Sequence, residues 1–132
     1  MKKLLLLCLM TVSLTACHEN LEDRAEREAR EFTDKNCPTP PHENAILDSM
    51  VFYKSTHTLT YYYTLVNTAD DKDKIRRIEG TIHQALLEEV QNNTNLRAYK
   101  DAGFSFAFIY RSCKNKKIVL YKDVIQRKDY QK

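Results

Sequence analysis

Large aromatic residues occupy every second position in a run near the C-terminal end, and this run constrains the fold more than any other feature. Phe104, Phe106, Phe108 and Tyr110 alternate with smaller or polar residues as far as position 111. Side chains of a β-strand alternate between the two faces of a sheet, so the run predicts a strand with one buried aromatic face. Such a strand needs neighbouring strands and a covering layer to bury that face.

Three other segments also predict strands. Residues 59–66 read "LTYYYTLV", which places two leucines and two tyrosines on one face and two threonines and Tyr62 on the other. We expect the first face in the core and the second face in water. The remaining strands are predicted at residues 45–53 and 118–125, with turns at "KSTH" and "SCKNKK".

Residues 68–93 predict the best-defined helix of the chain. Its apolar stripe consists of Ile75, Ile78, Ile82, Leu86 and Val90. Thr68, Asp70 or Asp71 can cap the start of this helix through a side-chain oxygen. Gly80 lies off the stripe and should cost up to about 1 kcal/mol relative to alanine. We expect the isoleucines to pack on the sheet.

A second, highly charged helix is predicted within residues 19–32. Its narrow apolar stripe consists of Leu21, Ala25, Ala29 and Phe32. Two alternatives remain for this segment: a helix on the edge of the domain, or a semi-rigid spacer. Three prolines between positions 38 and 41 end it, because proline removes backbone donors and disfavours helix before it.

Together these elements predict an α+β fold. The expected order is an N-terminal helix followed by β-β-α-β-β, with a four-stranded antiparallel sheet and the helices on one face. The expected division of the chain is a signal peptide at residues 1–16, a lipidated N-terminus with the charged helix or spacer at 17–36, and the α+β domain at 37–132.

Residues 1–16 have the layout of a secretory signal peptide, with two lysines, an apolar run and small residues before Cys17. The apolar run is shorter than the roughly 20 residues that a membrane-spanning helix needs. The segment Leu14-Thr15-Ala16-Cys17 resembles the lipobox of bacterial lipoproteins. This resemblance implies cleavage before Cys17 and acylation of its thiol, and several acyl chains would hold the protein firmly on a membrane. The alternative is an ordinary signal peptide with an incidental Cys17.

The lipobox resemblance also implies a location. His18 follows the cysteine, where an aspartate would resemble an inner-membrane retention signal, so we expect the outer membrane, facing the periplasm, if the host is Gram-negative. Removal of residues 1–16 lowers Lys+Arg from 21 to 19 against 18 Asp+Glu. This near-neutral balance and the predicted export both argue against a nucleic-acid partner.

Cysteine chemistry follows from the same processing. Cys8 is removed with the signal peptide and Cys17 is acylated, which leaves Cys37 and Cys113 as one potential disulfide. A bond between them would close a loop of about 76 residues and stabilise by about 4 kcal/mol in the chain-entropy model. Two free thiols are the alternative, since neither cysteine lies in a recognisable redox or protease motif.

Four segments of the mature chain carry a second resemblance. They read "NAILDSMVFY", "LTYYYTLVN", "NLRAYKDAGFSFAFIYRS" and the strand that follows. This pattern resembles a set of small, exported or membrane-tethered bacterial proteins that have no assigned biochemical role. The resemblance covers most of residues 44–125 and implies a shared fold more than a function. Cysteines that many members carry are replaced here by Asn92 or Asn93 and by Tyr130.

Catalytic and cofactor motifs are absent from the sequence. With only Gly80 and Gly103, the chain cannot form a glycine-rich phosphate loop or a dinucleotide fingerprint. None of its four histidines lies at metal-ligand spacing, although His42, His57 and a carboxylate could still meet in space. We therefore expect no cofactor, no metal and no enzymatic activity.

The eight tyrosines include candidates for an interface, because tyrosine presents a large contact area at low entropic cost. Tyr53, Tyr62 and Tyr121 are the three whose predicted positions leave them free of the core. The leading hypothesis is a non-enzymatic, membrane-anchored envelope protein that binds another envelope protein as an assembly or accessory module.

Two other hypotheses remain. One is an enzyme or small-ligand binder with a site between sheet and helix, for which Asp48, His57 or His83 in a buried polar cavity would be the sign. The other is a surface or stress-defence protein that needs only its anchor.

Overall fold

The computed structural model describes residues 18–132. It contains four strands and five helices, joined in places by short 3-10 turns. The helices are α1 (Leu21–Asn36), α2 (Lys72–Arg77), α3 (Glu79–Asn92), α4 (Arg97–Asp101) and α5 (Arg127–Tyr130). The strands are β1 (Ala45–Tyr53), β2 (Thr58–Leu65), β3 (Ser105–Ser112) and β4 (Val119–Ile125). Within residues 18–132, no helix is both long enough and apolar enough to cross a membrane.

The four strands form one mixed sheet in the order β1-β2-β3-β4. Strands β1 and β2 are antiparallel, as are β3 and β4, but β2 and β3 are parallel, with Leu59 opposite Phe106 and Tyr61 opposite Phe108. The α+β class and the four strands are thus confirmed, whereas the prediction of an all-antiparallel sheet is wrong for the central pair. The connection from β2 to β3 is a helical crossover, which returns the chain to the starting end of β2 and so makes the next strand parallel.

The predicted single helix of residues 68–93 is two helices, and a short α4 follows before β3. Asp71 caps α2 by accepting hydrogen bonds from the backbone of Asp73 and Lys74, both at 3.0 Å. The break falls at Ile78, whose ψ of 13° is not helical, two residues before the poor helix former Gly80. Helix α5 at the C-terminus was not predicted, because only four residues form it.

The core lies between the sheet and the helices. Leu59, Phe106 and Phe108 share one face of the sheet, and this helical face packs against Leu86 and Val90 of α3. Aromatic rings also stack across the parallel pair, with centroid distances of 5.0 Å for Tyr61–Phe108 and 4.8 Å for Tyr63–Tyr110. The period-two pattern of the sequence therefore becomes a continuous aromatic surface on the helical face.

Helix α1 packs against the edge strand β1. Its small residues Ala25 and Ala29 are each only 2% exposed and belong to the core cluster. Thr33 joins the helix to the strand: its hydroxyl accepts a hydrogen bond from the Met50 backbone N–H at 2.9 Å. Asn20 caps the start of the helix by accepting from the backbone N–H of Asp23. Helix α1 is thus a packed layer of the fold.

Candidate functional site

An apolar cavity of about 660 Å³ lies on the helical face of the sheet. Its floor is formed by the stacked rings of Tyr63 and Tyr110. One wall is formed by Ile75, Ile78 and Ile82 of the α2–α3 region. The opposite wall is formed by residues 39–43, which precede β1, and by the first residues of β1. The isoleucine stripe thus lies beside the rings of Tyr63 and Tyr110 and does not fill the space above them.

A second cavity, of about 310 Å³, continues from the first. Leu47 lines both cavities, so they are neighbours, and the second lies over Tyr61 between α1 and the segment that contains α4. We call the two cavities together the apolar groove. Phe32 of α1 lines the second cavity and Ile78 lines the first, and their side chains are 39% and 40% exposed.

The groove has a few polar groups among its apolar lining. Within the described residues, the hydroxyls of Tyr63 and Tyr110 make no hydrogen bond, and burial is the main cause that raises the pKa of both phenols. Both therefore remain protonated donors at neutral pH. The charged lining residues are Glu43 and Glu28, both acidic. An apolar surface with a few placed polar groups is typical of a binding site.

The three tyrosines predicted at an interface lie on two different faces. Tyr121 lines the apolar groove, where its hydroxyl donates to Asp123 at 2.9 Å. Tyr53 and Tyr62 lie on the opposite face of the sheet, where their hydroxyls hydrogen-bond to each other at 2.6 Å. Tyr53 is 43% exposed, whereas Tyr62 is half-buried. The structure therefore brings together Tyr53 and Tyr62 but not all three tyrosines.

Both Cys37 and Cys113 are free thiols in the structure. Cys37 precedes Thr39, which hydrogen-bonds to Leu47 along the outer edge of β1, whereas Cys113 directly follows β3. Strands β1 and β2 thus lie between the two cysteines, and a disulfide would require movement of the backbone. The disulfide remains a prediction. The Cys113 thiol donates to Asp70 at 3.0 Å, and this contact raises the pKa of the thiol. Cys17 lies outside the described residues.

The residues named for a ligand-binding or enzymatic alternative are at separate sites. Asp48 lines a polar cavity on the face opposite the helices. His57 lies in the β1–β2 turn, 3.2 Å from Glu22, and His83 on α3 lies 2.7 Å from Asp123. Within the described residues no group of three or more His, Cys, Asp or Glu side chains is arranged to hold a metal ion.

Comparison with protein families gives one match, which covers residues 20–121 and is described as a domain of unknown function, DUF8479. The chain belongs to this family. A comparison with curated protein sequences gives no match.

Three solved structures are similar in fold. A protein of Pseudomonas aeruginosa that is provisionally described as secreted has a TM-score of 0.71 at 13% identity, over 83% of this chain and 92% of its own. The pilotin EpsS of the Vibrio vulnificus type 2 secretion system has a TM-score of 0.61 at 8% identity, over 84% and 92%. The type II secretion pilotin AspS from Vibrio cholerae has a TM-score of 0.57 at 15% identity, over 83% and 92%. At these identities the likeness shows the fold alone.

Sequence reasoning did not identify the groove itself. The isoleucine stripe predicted that a helix would pack on the sheet, but not that Ile78 would remain exposed at a rim. Arg111 was also missed, although the period-two pattern places it on the face opposite the phenylalanines, which is the face of Tyr62.

Proposed function

We propose that this protein is a lipid-anchored, non-enzymatic accessory protein of the cell envelope that binds an amphipathic helix of another envelope protein. The observation that carries the proposal is the apolar groove, whose floor of stacked tyrosines lies between residues 39–43 and the isoleucines of the α2–α3 region. The structural likeness to two secretion-system pilotins and the lipobox resemblance at Cys17 support an envelope role.

The dimensions of the groove favour a helical occupant. It runs along β2 from Leu59 to Leu65, which corresponds to about 20 Å at the rise of a strand. A helix of that length has about 13 residues, or between three and four turns. Helix-in-groove recognition places the apolar face of such a helix on an apolar floor. Glu43 lines the groove and makes no ion pair within residues 18–132, whereas Glu28 is paired with Arg24, so the occupant should carry a lysine or arginine that reaches Glu43.

The proposed anchor fits this arrangement. Helix α1 begins at Leu21, so only a few residues would separate it from an acylated Cys17. At about 3.5 Å per residue, this tether would hold the domain within roughly 15 Å of the lipid. The start of α1 contacts the β1–β2 turn through the Asp23–Lys54 ion pair, and Leu65 lies at the other end of β2. The wider cavity of the groove would therefore lie away from the membrane.

The experiment is site-specific photocrosslinking in intact cells. A photoreactive residue at Ile78 should crosslink one partner in stoichiometric amounts, whereas the same residue at Val124 should not. Val124 is a matched control, because it is 37% exposed against 40% for Ile78 but lies on the opposite face of the sheet. Equal crosslinking at both positions, or none at Ile78 with normal expression, would contradict the proposal.

A pair of substitutions measures the energy of the interaction. Ile78→Lys removes apolar contact with the partner and adds a positive charge, which repels the lysine or arginine that the partner should carry. The free energy of binding should become less favourable by about 2 kcal/mol. The affinity should then fall about 30-fold, while Val124→Lys binds as the unmodified protein does. Circular dichroism should show both variants folded, since neither side chain is buried.

A further inference from the structure

The sheet has a second face that the helices do not use. The buried side chains of the helices pack on the helical face of the sheet, where they meet Phe106 and Phe108 of β3. The opposite side, which we call the open face, carries Tyr62, Thr64 and Arg111, and a polar cavity of about 560 Å³ lies over it. This cavity is separate from the apolar groove, because the whole sheet lies between them.

Two cations, Arg111 and Lys116, line the cavity of the open face. Arg111 lies over the ring of Tyr62, with its Cζ 5.1 Å from the ring centroid, so the side chain is held in a cation–π contact. Lys116 lines the same cavity from the β3–β4 connection. Within the described part of the chain, neither side chain makes an ion pair or a hydrogen bond. Their N–H donors therefore remain available to a ligand.

The cavity also contains an oriented carboxylate. A bulge in β1 between Leu47 and Ser49 leaves Asp48 without a strand partner and turns it toward the cavity. The hydroxyl of Thr64, which is only 5% exposed, donates to one Asp48 oxygen at 2.5 Å. The other oxygen can still accept a hydrogen bond. Within the described residues Asp48 makes no ion pair with either cation, so all three groups can contact a ligand.

This arrangement defines the chemistry of a ligand. Two cations and one carboxylate give the cavity a net positive charge, which suits a single negative charge better than a doubly charged phosphate. Arg111 and Lys116 would bind a carboxylate, and Asp48 would accept from a nearby N–H donor. The last residue of a peptide carries both groups, because its carboxylate and its backbone N–H are attached to the same carbon. We propose that the open face binds the free C-terminus of a peptide.

The test is a nuclear magnetic resonance titration of the full chain in detergent, observed at the Arg111 Nε–H signal. The probes are N-acetyl-Ala-Ala, its C-terminal amide and inorganic phosphate. The free acid should shift the signal in a saturable manner, and the amide and phosphate should bind at least about tenfold more weakly, since hydrogen bonds to charged groups have that strength.

Variants locate the binding. Arg111→Gln and Lys116→Gln should each weaken the binding of the free acid about tenfold, observed at backbone amides of β2. Lys122→Gln is the matched control, because it removes the same charge from the same face, on β4 outside the cavity. The proposal is overturned if the amide or phosphate binds as well as the acid, if no shift saturates, or if Lys122→Gln has the same effect. Ile78→Lys should leave this binding unchanged, so the test is independent of the groove.

Discussion

Replacement of Thr33 by valine should loosen helix α1 from the sheet. The Thr33 hydroxyl accepts from the Met50 backbone N–H at 2.9 Å, and it lies 2.8 Å from the Ala29 carbonyl and 3.1 Å from the Met50 carbonyl. Valine has nearly the same shape but no hydroxyl. The substitution therefore removes the polar contact between helix and strand while it changes the packing little.

The magnitude follows from the donor that loses its partner. A buried donor without a partner costs about 1–3 kcal/mol, and Thr33 is half-buried, so we expect a loss of about 2 kcal/mol in the free energy of unfolding. For a folded region of roughly 115 residues, the unfolding entropy converts this loss to a fall in Tm of about 8 °C.

The assay is urea denaturation and thermal unfolding of residues 18–132. Thr33→Ser is the control, because it retains the hydroxyl and should lose less than about 1 kcal/mol. A Thr33→Val variant within about 0.3 kcal/mol of the unmodified protein, with an unchanged m-value, would refute the reasoning. In that case the Thr33 hydroxyl would contribute little to the attachment of α1 to the sheet.

Three further predictions concern the cysteines. Cys17→Ser should abolish acylation and release the protein from the membrane fraction, and an unchanged mass and distribution would exclude the anchor. If Cys37 and Cys113 form a disulfide, the mass of the non-reduced mature domain should be two protons below that of its reduced form. Two alkylatable thiols would instead match the free thiols of the structure. In the reduced protein, Asp70→Asn should lower the pKa of Cys113 and speed its alkylation several-fold at pH 8, because the carboxylate disfavours the thiolate. An unchanged rate would mean that the Asp70–Cys113 contact does not form in solution.

The pH dependence of Asp70 has a definite sign. Hydrogen bonds from Ser112 and Cys113 lower the pKa of this carboxyl in the folded protein. Its contribution to stability is therefore present above the pKa of the unfolded chain and is lost as the pH falls through the folded pKa. The difference in stability between the unmodified protein and Asp70→Asn should accordingly be constant near neutral pH and disappear in acid. A difference that grows in acid would contradict this assignment.

Much of the fold could be predicted from periodicity. Residues 45–53 are a strand with the predicted bounds, β2 and β3 are each displaced by one residue, and β4 begins one residue later than predicted and ends where predicted. The direction of β3 relative to β2 could not be predicted, because alternation of side chains is the same in parallel and antiparallel strands. The break at Ile78 was also missed, because the apolar stripe of Ile75, Ile78 and Ile82 continues through it.

The sequence by itself determined the local properties of this protein: which residues form strands, which face of each strand is apolar, and which segment resembles a lipobox. Only the tertiary structure decided what these faces meet. The parallel pairing places Tyr63 beside Tyr110 and Tyr62 near Arg111, although each pair is separated by more than 45 positions in the chain. Periodicity depends on neighbours along the chain, whereas the groove and the open-face cavity depend on how the crossover helices position two distant strands.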